Sequence, residues 1–197
     1  MKSKNLLYYF FWCFSFVNTI RINENDFFTQ QIRNLVRKTY RISKDKKDEK
    51  VMEILVEKFR YYMFNHDIKR DGAEREKYNG IRNQTLNVTN ETKDGTYDLY
   101  TKKEVHFDRG YQVSFETLYD DYTDTEFEDI AYKMSLLSDN SAYQGVYSHV
   151  PELSFHFDEL ELAMVLGIVF NQISIWDWSV SDEIFNGYFE NKTSDIF

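Results

Sequence analysis

From Gly110 to Trp178 the spacing of apolar residues switches repeatedly between that of a strand and that of a helix, and no other feature restricts the fold as tightly. Tyr111, Val113 and Phe115 alternate with Gln112, Ser114 and Glu116, the period of a half-buried strand. The acidic run Asp120, Asp121, Asp124 then leads into Phe127, Ile130, Ala131, Met134 and Leu137, a helical stripe that Asp124 or Thr123 can cap and that Asp139-Asn140 ends. Tyr143–Tyr147 reads as a second strand and Ser148–Pro151 as its turn. Leu153, Phe155 and Phe157, alternating with Ser154 and His156, read as a third strand. Asp158 is expected to cap a helix carrying Leu162, Ala163, Leu166 and Phe170, and Ile173–Trp178 is short and β-rich.

The order strand, helix, strand, strand, helix, strand predicts an α+β unit of the ferredoxin-like, split βαβ type, with two helices over one face of an antiparallel sheet. A last short helix, Ser181 to Phe189, is expected at its edge. Upstream, Phe28, Ile32, Leu35 and Val36 recur at helical spacing between Asn25 and Tyr40, with Arg33, Arg37 and Lys38 among them. A second helix is expected from Asp48 to Asn65, with Val51, Ile54, Leu55, Phe59, Tyr62 and Met63 on one face. Residues 71–94 are polar and carry the turn signals Asp71-Gly72 and Asn79-Gly80. A brief hairpin, Thr96–Tyr100 with Glu104–Phe107, follows. The chain therefore divides into an aromatic amino-terminal segment with two basic amphipathic helices (1–70), a polar connector with a hairpin (71–110), and the acidic α+β domain (111–197).

The net charge of -9 conceals a strong polarity. Residues 1–70 hold 15 Lys+Arg against 8 Asp+Glu, residues 71–110 hold 7 against 8, and residues 111–197 hold 2 against 17. Only Lys133 and Lys192 are positively charged after Gly110, His149 and His156 counted as neutral, so the carboxyl-terminal domain has nothing to hold a phosphate backbone. Although Phe155 and Phe157 sit where RNA-stacking aromatics occur on such sheets, this charge points to core or protein contact. Such a balance either simply keeps a Phe- and Tyr-rich domain soluble, the plainer reading, or attracts a partner with a basic, nucleic-acid-binding surface, met by Asp120, Asp121, Asp124, Glu126, Glu128, Asp129, Asp158, Glu159 and Glu161. The basic helices docking on the acidic half of the same chain would equally account for the polarity.

Chemistry is sparse. His66, His106, His149 and His156 have no metal-ligand spacing, and the acidic cluster lacks the alternation and glycine of a calcium loop. Cys13 lies alone in an apolar run, so disulfides within the chain and cysteine zinc sites are excluded, and no glycine-rich phosphate loop exists. No catalytic residue, metal or cofactor is assigned, and nothing positive argues for an enzyme. Lys2, Lys4 and the run Leu6–Val17 have the outline of a signal peptide with a poor cleavage site, too short to span a bilayer. With the acceptor triplets at Asn83, Asn87, Asn90 and Asn191 they support the alternative of a secreted or surface glycoprotein.

The stretches Gly110-Tyr-Gln-Val-Ser-Phe, Pro151-Glu-Leu-Ser-Phe-His-Phe and Phe170-Asn-Gln-Ile-Ser-Ile-Trp-Asp-Trp resemble small phage and mobile-element proteins of low-GC Gram-positive bacteria, a class that includes anti-CRISPR proteins. The resemblance covers roughly residues 110–178 and implies a class of task, interference with a host defence protein in the bacterial cytoplasm. It assigns a role to no individual residue.

Overall fold

The computed structural model describes residues 29–38, 40, 49–65, 72–85, 93–116, 122–139, 141–148 and 150–186. The elements are helix α1 (residues 29–38), α2 (Glu49–Asn65), α3 (Gly72–Tyr78), α4 (Ile81–Thr85), strand β1 (Gly95–Asp98), β2 (Tyr111–Glu116), α5 (Asp124–Leu137), β3 (Tyr143–Tyr147), β4 (Val150–Phe157), α6 (Leu160–Val169), β5 (Ser174–Asp177) and β6 (Asp182–Phe185). The strands form one sheet in the order β1-β3-β4-β2-β5-β6, every pair antiparallel. The protein is thus α+β, with a six-stranded antiparallel sheet.

Register separates the two faces, because directly paired residues point the same way and successive residues point oppositely. Val113 pairs with Phe155, Phe115 with Leu153, and Tyr111 with Phe157. These residues form the first face. All but Tyr111 are essentially inaccessible, and Phe115 meets Phe127 of α5 and Phe170 at the end of α6, with ring centroids 4.7 and 5.3 Å apart. α6 is apolar nearly all round because it lies between the sheet and α2; Leu162, Ala163, Val165 and Leu166 are all buried. Each such side chain larger than alanine contributes about 1.5–3 kcal/mol of transfer free energy.

α5 begins with a capping box. Thr123 Oγ1 accepts from Glu126 N at 3.3 Å, and Glu126 Oε2 accepts from Thr123 N at 2.8 Å, which satisfies two orphan donors. Its carboxyl end is held by Arg33 of α1, whose Nη2 donates to Leu137 O at 2.7 Å and Ser138 O at 3.3 Å. A guanidinium there complements the negative end of the helix dipole.

Several expectations are corrected. Asp182–Phe185 is a strand paired with β5, not part of a final helix; the pairing satisfies backbone groups of β5 that an edge position would leave to water, and Ile184 pairs with buried Ile175. Pro151 lies in β4 rather than in a turn. It pairs with Val146 beyond the last β2 partner, Glu152, so its missing N–H costs the central pairing nothing. The residue before α6 is Glu159, not Asp158, and it makes no side-chain cap because its carboxylate is engaged by Arg37. On α2 the buried face is rotated from that expected: Val56 is buried and Ile54 is 48% exposed. The polar stretch 71–94 contains α3 and α4, which bury Tyr78 and Ile81. The second hairpin strand shrinks to one bridge, Tyr97 with Glu104, because the chain leaves the sheet plane to bring Phe107 over His156. The run Leu6–Val17 and the acceptors Asn87, Asn90 and Asn191 lie outside the described residues; Asn83 is exposed on α4.

Candidate interaction surface

Three places bear chemistry. The first is the acidic cluster at the start of α5, where the carboxylates are largely spent inside the fold. Arg82 Nη1 donates to Tyr122 O at 2.9 Å and approaches Asp124 Oδ1 at 3.5 Å, and Gly80 N donates to Glu128 Oε1 at 2.8 Å. Hydrogen bonds from the Thr123 N–H and then its hydroxyl hold the Glu126 carboxyl below its usual range. Asp129 is half-buried. Asp120 and Asp121 lie outside the described residues. Asp124 remains 75% exposed at its side chain.

The second place is a pocket of about 170 Å³ where α1, the end of α5 and the start of α6 meet, lined in part by Arg33, Ser138, Asp139, His156, Asp158 and Glu159. Sequence separation hid this meeting; no periodicity brings Arg33 to Leu137. Arg37 grips Glu159 with two bonds of 2.6 and 2.7 Å, which raises the Arg37 pKa further. Tyr143 Oη donates to Asp139 Oδ2 at 2.9 Å, while His156 Nδ1 lies 3.7 Å from that oxygen and its Nε2 is 2.8 Å from Arg109 O. Burial first, and the bond to Asp139 second, push the Tyr143 hydroxyl up to about 12. The pocket falls below the roughly 300–1,000 Å³ typical of small-molecule sites. Asp158 is exposed at its rim and Glu161 is half-buried on α6. The candidate acids therefore fall into two groups, one at the amino-terminal end of α5 and one at that of α6.

The third place is the second sheet face, which neither motif nor charge marks in the sequence. His156 pairs with Gln112, Gln112 with Trp176, and Trp176 with Glu183, so these four lie side by side across β4, β2, β5 and β6. Beside them run Tyr143, Ser154 and Ser114, then Gly145 and Glu152. Trp178 Nε1 donates to Gln112 Oε1 at 3.3 Å, and Gln112 Nε2 to the buried Ser154 Oγ at 2.9 Å. Phe107 stacks on the His156 ring at 3.9 Å and meets Trp178 at 5.4 Å. Trp176, Trp178 and Phe107 are half-buried, while Tyr147 and Phe185 are 68% and 59% exposed.

Among the described residues no group of three or more His, Cys, Asp or Glu is placed to hold a metal ion, and no helix is long and apolar enough to cross a membrane. Comparison with protein-family models, curated proteins and solved structures finds no match.

Proposed function

We propose that the chain is an acidic protein-interaction module that blocks a basic, nucleic-acid-binding surface of a host defence protein, such as a CRISPR effector, in the bacterial cytoplasm. One observation carries this reading. Lys133, the only Lys or Arg between Gly110 and Asn186, is 3% exposed, and its Nζ donates to Met63 O at 2.8 Å. The described surface of that segment thus presents carboxylates without Lys or Arg, a field that repels phosphate and attracts cationic surfaces. Asp124, Glu126 and Asp158 are its exposed members among the described acids singled out from the sequence.

We read β2-α5-β3-β4-α6-β5 as a ferredoxin-like unit extended by β1 and β6. Its inner spatial order β3-β4-β2-β5 supports this, as does the placing of both helices against the apolar face.

The test is affinity capture of the tagged full-length chain from bacterial lysate, washed at low salt and at about 0.5 M, where exposed charge contacts are screened within a few ångströms. The expected result is a nucleic-acid-binding protein that salt releases and that, once purified, loses its DNA or RNA when the chain is added. An empty capture, or a captured protein that keeps its nucleic acid, overturns the reading.

A further inference from the structure

We propose that the second sheet face is the docking surface, and that it takes an arginine-bearing segment of the partner by stacking guanidinium groups on Trp176 and Trp178 beside Glu183. This rests on the reading above and moves the contact away from the amino-terminal ends of α5 and α6.

Four observations converge. Trp176 stands in the row between Gln112 and Glu183, so an indole and a carboxylate occupy neighbouring strands, about 5 Å apart. That spacing suits a guanidinium, whose flat face stacks on an aromatic ring while its edge donates to a carboxylate. Trp176 and Trp178 meet edge to face at 6.2 Å, and Trp178 is fixed by its bond to Gln112 and by Phe107, so the indoles are held in place before any partner arrives. Partial exposure of Trp176, Trp178 and Phe107 beside the outlying Tyr147 and Phe185 gives apolar area of the kind that marks protein contacts. Finally, β2 to β6 contain no Lys or Arg, so nothing on these strands competes with an incoming cation.

The acids at α5 answer a different need. Glu126 caps its own helix, Glu128 binds Gly80 N, and Asp124 lies against Arg82. A partner meeting them would have to break contacts that the fold already makes. Glu183 lies on the sheet's last strand and caps no helix, so a guanidinium can reach it without that cost.

The experiment titrates the full chain with fluorescein-labelled nona-arginine at about 0.15 M salt, reading anisotropy, alongside the indole N–H signals of ¹⁵N-labelled protein. The Trp176 and Trp178 indole signals are expected to shift on binding. Trp176→Leu should weaken binding about fivefold or more and Glu183→Gln about threefold, whereas Asp124→Asn and Asp158→Asn should change it less than about twofold. Circular dichroism checks that each variant folds, and the indole shifts of the unaltered protein decide the matter should Trp176→Leu unfold.

Equal weakening by every acid substitution, with unmoved indole signals, would show diffuse attraction and overturn the proposal. So would absence of binding, whether a sedimenting dimer shows a second copy on the face or a monomer shows it closed by the chain itself. A lysate capture that succeeds while Trp176→Leu captures equally well defeats this surface and leaves the interaction-module reading standing. Failure of the capture with intact peptide binding does the reverse.

Discussion

The sheet has two faces built from alternate residues of the same strands, and they obey different rules. On one face Val113, Phe115, Leu153, Phe155 and Phe157 are 0–1% exposed beneath α5 and α6. On the other, Gln112, Ser154 and His156 are buried as hydrogen-bonded polar groups, and the aromatics around them stay partly open. Burial of apolar area drives folding, so the first face carries stability. Polar groups fixed in place beneath half-open rings add less to stability through apolar burial and more to a single, defined arrangement of the face.

The contrast can be broken by substitution. Phe155→Ala empties a fully buried site on the apolar face and should cost about 3–5 kcal/mol, read by urea or thermal unfolding. A loss under about 1 kcal/mol would show that this face is not the stabilising one. Gly110→Ala is the strongest test on the opposite side. Gly110 has φ +95°, and an added Cβ would stand 2.3 Å from His156 Nε2 and 2.8 Å from Phe157 O. The expected cost is about 2–3 kcal/mol, with loss of the Phe107–His156 stack visible as a shift of the ring signals.

A smaller effect is expected from alkaline titration. Tyr143 and Tyr62 have folded hydroxyl pKa values raised from 10.0 to about 12, so the stability linked to their neutral hydroxyls is fully present below pH 10 and is lost as the pH rises from 10 to 12, where the unfolded chain ionises and the folded one does not. Tyr143→Phe should flatten part of that fall, measured as unfolding free energy against pH. Smallest is Arg37→Ala. The pair with Glu159 is well formed but Arg37 is 47% exposed, and its loss should cost less than about 1 kcal/mol and shrink further in salt.

Legibility varied along the chain for identifiable reasons. The strand Tyr111–Glu116 and the helix Asp124–Leu137 fall where alternation and helical stripe place them, because one face of each is more apolar than the other, and Tyr143–Tyr147 is the strand expected there. The Ser181–Phe189 region misled because Ile184, Phe185, Tyr188 and Phe189 suit a helix as well as a hairpin arm; pairing with β5 decided the matter for Asp182–Phe185. The candidate acids were legible as charge, but their employment was not, since Arg82 and Asp124 are 42 residues apart and Arg37 and Glu159 are 122 apart.

The sequence by itself determined the succession of elements from Gly110 to Trp178 and the scarcity of bases in the acidic half, because periodicity and charge are local properties of the chain. Only the tertiary structure decided the six-stranded order, the use of α5 carboxylates within the fold, and the gathering of Phe107, Trp176, Trp178, Gln112 and His156 on one face. The reason is physical: pairing register sets which side chains share a face, and register is settled by contacts between segments far apart in sequence.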